Sequence, residues 1–199
     1  MGMQSRNDAL DLSQMNALVV DTDPYATEML ARIMRGFGLK NHSSAFSGES
    51  AIQAVAEKKP DLVLVESRLP DMTGSDVIKR IRREENPLIR HMPLIIMTGH
   101  TVMADIEMAR NSGANIVIKK PVSAAILFDR ILWAASTDRD FIETPSYVGP
   151  DRRFKSLGPP NGIGRRSTDL SAEVGAASEP NLDQSEIDAF IKPVKIKLE

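Results

Sequence analysis

Carboxylates, one hydroxyl and one ammonium recur in this chain at a single kind of place, immediately after short apolar runs. Asp21, Thr22 and Asp23 follow Ala17–Val20, and Glu66 and Ser67 follow Leu62–Val65. Thr98 and Gly99 follow Leu94–Met97, and Lys119, Lys120 and Pro121 follow Asn115–Ile118. Brought together, Asp21, Asp23 and Glu66 would offer oxygen ligands to a hard cation such as magnesium. A lysine and a hydroxyl beside them, Lys120 and Thr98, would suit a phosphoryl group. His42, His91 and His100 have no metal-ligand spacing, and no nucleophile–base pair or glycine-rich phosphate loop points to another enzyme. The chain has no cysteine, which excludes disulfides, thiolate metal sites and cysteine nucleophiles.

What must position these groups is a repeated strand–helix unit. Four apolar runs, at Ala17–Val20, Leu62–Val65, Leu94–Met97 and Asn115–Ile118, read as strands, with a weaker one around His42–Phe46. Between and after them lie helical patterns at Pro24–Phe37 (striped by Met29, Leu30, Ile33 and Phe37), about Glu49–Lys58 (Ile52, Val55, Ala56) and Ser75–Arg83 (Val77, Ile78, Ile81). Two more follow, striped by Val102, Met103, Ile106 and Ala109, and by Leu127, Ile131 and Ala134 over Ser123–Ala135. Strands without polar alternation are covered on both faces, so the expected class is α/β, a doubly wound five-stranded parallel sheet. Ligands in such sheets bind beyond the carboxyl ends of the strands, where the polar groups sit.

At 199 residues, with a formal charge of −2, 26% charged and 42% apolar residues, the chain can bury one ordinary core. The overall basic excess common in nucleic-acid binders is absent. No apolar run approaches the roughly 18 residues of a membrane helix, and the first residues do not read as a signal peptide, so a cytoplasmic location is expected. The expected organisation is a flexible arm at 1–14, the domain at 15–138, a linker at 139–180 and a short amphipathic helix at 181–199. The linker reading rests on five prolines and five glycines within 139–180, with scarcely any apolar periodicity; most of the tail is expected to be disordered.

On four motifs in order, residues 15–138 resemble the response-regulator receiver domains of two-component signalling, as in the chemotaxis regulator. VVDTDP is similar to the family's acidic first-strand motif, and DLVLVESRLPDMTG (Asp61 to Gly74) to its phosphoacceptor strand and loop. PLIIMTG (Pro93 to Gly99) resembles the switch-threonine strand, and IVIKKP (Ile116 to Pro121) the lysine–proline motif with its cis peptide. The resemblance implies a flavodoxin-like fold and a protein acting in a phosphorelay through protein–protein contacts rather than as an enzyme. It also implies roles: Glu66 at the phosphoacceptor position, Asp21, Thr22 and Asp23 in the acidic pocket, Thr98, Lys120 and Pro121 at the switch and phosphate contacts.

Two defining positions depart from the family pattern. The phosphoacceptor is normally aspartate, and Glu66 displaces the carboxylate by about one C–C bond, roughly 1.5 Å. Thr22 stands where a second acidic magnesium ligand is usual, leaving Asp21, Asp23 and Glu66 as a weak metal set. Misplacement by about 1 Å can cost on the order of a hundredfold in a reaction needing in-line geometry. Three readings of Glu66 follow: an unusual phosphoacceptor, a permanent mimic of the acyl phosphate, or an inert partner of Lys120. Val117 stands at the position of the family's switch aromatic, so that reporter is missing. Trp133 lies in the last helix of the usual partner face.

Two features of the tail suggest ligands. Residues 151–166 carry a net charge of +4, with Arg152–Arg153 and Arg165–Arg166 paired. GPDRR and RSTD resemble the arginine-rich extension of receiver-like proteins that bind cyclic di-GMP. Arg152, Arg153, Arg165 and Arg166 would grip phosphates and guanine faces, and Asp169 a guanine edge. The alternative is a solvated basic linker. Leu182–Ile191 reads as a capped helix, Asp183 with Glu186 forming a capping box and Ile187, Phe190 and Ile191 an apolar stripe. Its EIDAF stretch resembles the flagellar-switch peptide gripped by the chemotaxis regulator. Glu186, Ile187, Phe190 and Ile191 are thus candidate docking residues, and 182–191 could dock on its own receiver. Expected partners are a signalling protein, a kinase or a flagellar or chemotaxis component. No helix-turn-helix follows, so sequence-specific DNA binding is not expected.

Overall fold

The computed structural model describes residues 12–136, 139–151 and 183–191, the side chains of the last segment as far as Asp188. Five strands, β1 (Asn16–Val20), β2 (Asn41–Ala45), β3 (Leu62–Glu66), β4 (Leu94–Thr98) and β5 (Ile116–Lys119), form one parallel sheet in the order β2-β1-β3-β4-β5. The helices are α1 (Pro24–Gly36), α2 (Gly48–Lys58), α3 (Gly74–Ile81), α4 (Pro87–His91), α5 (Met103–Asn111) and α6 (Ala124–Ser136). Leu18 to Val20, Leu62 to Val65 and Leu94 to Met97 are all buried, as strands covered on both faces must be. Each large aliphatic side chain taken from water in this way contributes about 1.5–3 kcal/mol.

Helical faces were less legible than strands. In α1 the buried residues are Thr27, Leu30, Ala31 and Met34, while Met29 is half-exposed. Ile33 and Phe37 pack at the margin of the core, Phe37 against Phe128 of α6 with ring centroids 5.1 Å apart. The stripe therefore turns toward Leu30 and Met34 rather than Met29. In α2, Ala51, Ala54 and Val55 face inward and Ala56 is exposed.

The linker reading of residues 139–180 is corrected at its start. β6 (Phe141–Thr144) and β7 (Tyr147–Pro150) form an antiparallel hairpin. Tyr147 is buried and donates its hydroxyl to the carbonyl of Pro150 at 2.7 Å. The hairpin sits so close to the α5–β5 turn that a Cβ at Gly113 would lie 2.4 Å from the Val148 carbonyl oxygen. It also packs against a buried arginine. Arg82 donates to the carbonyls of Gly113, Arg90 and Met92 and to Asn115 Oδ1, with the Phe141 ring 5.4 Å away. Burial among neutral oxygens pushes the Arg82 guanidinium down to about 9.

The final helix, α7 (Gln184–Ile191), lies against β5. Its expected capping box is present: Asp183 Oδ1 accepts from the Glu186 amide at 2.9 Å, and Glu186 Oε2 from the Asp183 amide at 2.8 Å.

Candidate functional site

The chain leaves β1 toward β2 on one side of the sheet and reaches β3 on the other. A crevice therefore opens at the carboxyl ends of β1 and β3. Asp21 follows β1 and Glu66 ends β3, so both carboxylates face it. From the far side, β5 ends at Lys119 and the cis Lys120–Pro121 peptide turns the chain away. The Lys120 amide is pinned to the Thr98 carbonyl at 2.8 Å, and its side chain reaches back across the strand ends.

Lys120 Nζ bonds both carboxylates, Asp21 Oδ2 at 2.5 Å and Glu66 Oε2. The remaining carboxylate oxygens are also engaged. Asp21 Oδ1 accepts from the Asp23 amide at 3.0 Å. Glu66 Oε1 accepts from the Ser67 amide at 2.9 Å and lies 3.0 Å from the Ser67 hydroxyl. Burial alone would lower the Lys120 pKa, but its bonds to Asp21 and Glu66 outweigh that and hold it above its ordinary value. Two carboxylates share one ammonium, so the cluster keeps a net negative charge.

The Ser67 hydroxyl also lies 3.0 Å from Thr98 Oγ1, which donates to the His100 carbonyl and accepts from the His100 amide. A continuous path of polar contacts thus runs from Lys120 through Glu66 and Ser67 to Thr98. The loop after β3 is held close by Gly74, whose amide donates to the Ser67 carbonyl. A Cβ there would fall 2.3 Å from the Glu66 carbonyl oxygen. Sequence reasoning noted Ser67 only as a strand-end neighbour; the signal was a second polar residue directly after the carboxylate.

Not every expected residue converges. Thr22 and Asp23 are exposed, and Asp23 instead caps α1, accepting from the Tyr25 amide at 2.9 Å. Pro121 is exposed at the cis peptide, and Val117 is buried in β5. A divalent cation fits this donor set poorly. Asp23 faces a helix terminus, Thr22 brings no carboxylate, and Lys120 already bonds one oxygen each of Asp21 and Glu66. Among the described residues, no group of three or more acidic, histidine or cysteine side chains is arranged to hold a metal ion.

At the other edge of β5, Gln184 of α7 bonds the strand backbone. Its Nε2 donates to the Val117 carbonyl at 3.2 Å, and its Oε1 accepts from the Lys119 amide at 2.6 Å. Ile187 is fully buried, and Asp188 pairs with Arg130 of α6. Of the candidate docking residues, Ile187 is at the contact and Glu186 serves the cap. Phe190 and Ile191 belong to α7 by backbone, with side chains outside the described residues. Arg152, Arg153, Arg165, Arg166 and Asp169 also lie outside them. Trp133 is half-buried, with the Arg139 guanidinium 5.7 Å from its ring. No described helix is long and apolar enough to cross a membrane.

Comparison with known proteins agrees with this geometry. The DNA-binding response regulator MtrA of Mycolicibacterium smegmatis is 34% identical over 122 residues, 61% of this chain and 51% of that protein. The chain thus spans about half the length of the curated relatives it matches. A two-component response regulator from Clostridium difficile is 26% identical with a TM-score of 0.56, covering 61% of this chain and 95% of that one. The receiver domain of the sensor histidine kinase PA1611 from Pseudomonas aeruginosa has a TM-score of 0.57 at 24% identity, covering 62% and 98%. That structure holds a magnesium ion in its active-site cleft. The family model of the response regulator receiver domain matches residues 17–132, more than half of the chain. With its sheet order and strand-end cluster, the chain belongs to the response regulator receiver family.

Proposed function

We propose that this receiver is a signalling module working through protein–protein contacts, in which an internal ion-pair cluster stands in place of the metal-dependent phosphoryl switch. One observation carries the reading: Lys120 binds both Asp21 and Glu66, and every oxygen of the two carboxylates has a partner. For Glu66 to accept a phosphoryl group, Lys120 would have to release it. A divalent cation would then have to bind without a third carboxylate, and magnesium is accordingly a weak ligand of Asp21, Asp23 and Glu66. Glu66 carries one charge and two acceptor oxygens, fewer than an acyl phosphate, so the ion pair accounts for it better than mimicry. We place the protein in the cytoplasm, working beside a kinase or another signalling protein.

The test is an amide NMR titration of the full chain with magnesium, followed by beryllofluoride. Little change at Asp21, Glu66 and Lys120 at millimolar magnesium supports the ion-paired module. Shifts spreading from these residues to Thr98 and α5 would show a working phosphoacceptor and overturn it.

A second reading, binding of cyclic di-GMP by the arginine pairs, draws support from where the first pair begins. The Asp151 amide, the last described group before that pair in the sequence, is anchored to the Asp140 carbonyl at 2.7 Å. Calorimetric titration with the dinucleotide, against the Arg152→Ala/Arg153→Ala chain, tests it. Binding lost in the variant favours this reading, and no heat from either protein rejects it.

A further inference from the structure

One cleft of the molecule collects positive charge without an acid to answer it. It lies at the amino ends of β4 and β5, opposite the strand ends that carry Asp21 and Glu66, where α3, α5 and the β6–β7 hairpin meet. Lys79, Arg82 and Arg83 line it from α3 and the residues just after it, Asn111 and Ser112 from the end of α5, and Ser146 from the hairpin turn. All three charged residues are cations. Glu84 and Glu85 follow in the chain but do not line the cleft.

The charge balance decides what this cleft attracts. Arg82 is buried, and its four hydrogen bonds all go to neutral oxygens, so its charge has no anionic partner among the described residues. Arg83 is exposed and enters no ion pair among the described residues. Lys79 pairs with Asp76 at 3.2 Å, but both side chains are about half-exposed, and such a pair yields readily to a competing anion. Against these cations stand the carboxyl ends of α3 and α5, each equivalent to about half a negative charge. The two helix ends offset about one of the two arginines, and the Lys79–Asp76 pair is neutral. The cleft therefore keeps a net charge of about +1, and more once Lys79 is released.

Its size narrows the class of anion. The cleft holds about 240 Å³. Pockets that enclose a whole small molecule run to roughly 300–1,000 Å³, so this one suits the charged end of a ligand rather than all of it. A guanidinium offers phosphate oxygens a planar fork, and an ammonium beside it offers a point charge. Ser146 brings a hydroxyl from the facing wall. The receiver match ends at residue 132 and the hairpin begins at Phe141, so that wall is built outside the matched domain.

We propose that this cleft binds the phosphoryl end of a small phosphorylated ligand, gripped by Arg83 and Lys79 from the receiver and by Ser146 from the hairpin. Arg82 adds its charge from beneath while keeping its bonds to the carbonyls. The ligand thereby bridges the hairpin to α3. The site shares no residue with the Asp21–Glu66–Lys120 cluster and none with the Arg152–Arg153 pair, so the magnesium and dinucleotide titrations judge those readings separately.

The test is calorimetric titration of the full chain with pyrophosphate in the absence of magnesium, with amide NMR to locate the contact. Saturable binding is expected, with shifts centred on Arg83, Ser112 and Ser146. Lys79→Ala/Arg83→Ala should weaken it about tenfold or more. Lys40→Ala/Lys58→Ala removes the same charge from two other exposed positions and should leave affinity within about twofold. Adenosine 5′-diphosphate separates the sources. Affinity above that of pyrophosphate assigns the cleft to a nucleotide, and equal affinity assigns it to the phosphoryl group alone.

No saturable binding of pyrophosphate would overturn the proposal. Equal weakening by the two double variants would also overturn it, reducing the binding to diffuse attraction between charges. Shifts centred on Asp21, Glu66 and Lys120 would do the same by moving the anion to the strand-end cluster.

Discussion

Lys120 places its ammonium 2.5 Å from Asp21 Oδ2, joining two strand ends that are 99 residues apart in the chain. Asp21 is almost wholly buried, and the Lys120 side chain is about one-quarter exposed. The pair therefore closes the crevice from within. Its electrostatics follow from two anions sharing one cation, with Glu66 as the second.

Removing the cation should expose that imbalance. Lys120→Met leaves Asp21 and Glu66 facing each other without a counter-charge, and a loss on the order of 3 kcal/mol is expected from urea unfolding. Glu66→Gln, which leaves one carboxylate per ammonium, should change stability by less than about 1 kcal/mol. Equal losses for the two variants would show that the cluster's charge balance is not what holds it.

The same pair sets a pH dependence. The folded-state pKa of Lys120 is raised, so its contribution is fully present below the unfolded value, ~10.4, and lost as pH rises through the folded one. Wild-type stability should therefore fall faster than that of Lys120→Met above about pH 10.4. Chemical denaturation of both proteins between pH 9 and 11.5 measures the difference, and parallel curves would exclude the linkage.

Magnesium affinity should respond to the two departures from the family pattern. Thr22→Asp adds a carboxylate at an exposed position beside Asp21, and Glu66→Asp withdraws its carboxylate by one methylene, roughly 1.5 Å. The double variant is expected to bind magnesium at least tenfold more tightly than the wild type by calorimetry. Unchanged affinity would mean that neither position limits the site.

Arg82 offers a test at the opposite end of the sheet. Arg82→Met strands the carbonyls of Gly113, Arg90 and Met92, which the guanidinium now satisfies, while Asn115 Oδ1 keeps the Leu94 amide as a donor at 2.8 Å. Each unsatisfied buried acceptor costs about 1–3 kcal/mol where water cannot replace the donor. A total loss of about 3–5 kcal/mol is expected, measured by urea unfolding. Near-neutral behaviour would show that water reaches these oxygens readily.

The sheet and the main site were legible because their signals are local. Leu62–Val65 can only be a strand covered on both faces, and Glu66 must then lie at its carboxyl end. Position and neighbours at the strand ends therefore place Asp21, Glu66 and Lys120 together without any knowledge of side-chain contacts. Asp23 was misplaced because its residue type serves two ends equally well: a carboxylate after a strand is also a carboxylate before a helix, and α1 claimed it. The hairpin at Phe141–Pro150 was hidden by its prolines and glycine, which read as a linker, since its anchor is a buried arginine just after α3 and a close approach at Gly113. Gln184 left no signal at all. Its partners are backbone groups of Val117 and Lys119, which carry no side-chain identity, some 65 residues earlier.

The side-chain amide of Gln184 has the same donor and acceptor as a peptide group, and it meets β5 where the next strand of a sheet would lie. β5 is an outermost strand, and outermost strands invite pairing with any extended segment that arrives. With α7 seated, the Val117 carbonyl and the Lys119 amide are already spoken for, so a foreign strand finds its first two rungs missing. The tail helix thereby serves as a guard against sheet extension, sparing the receiver from stacking edge to edge with its own kind.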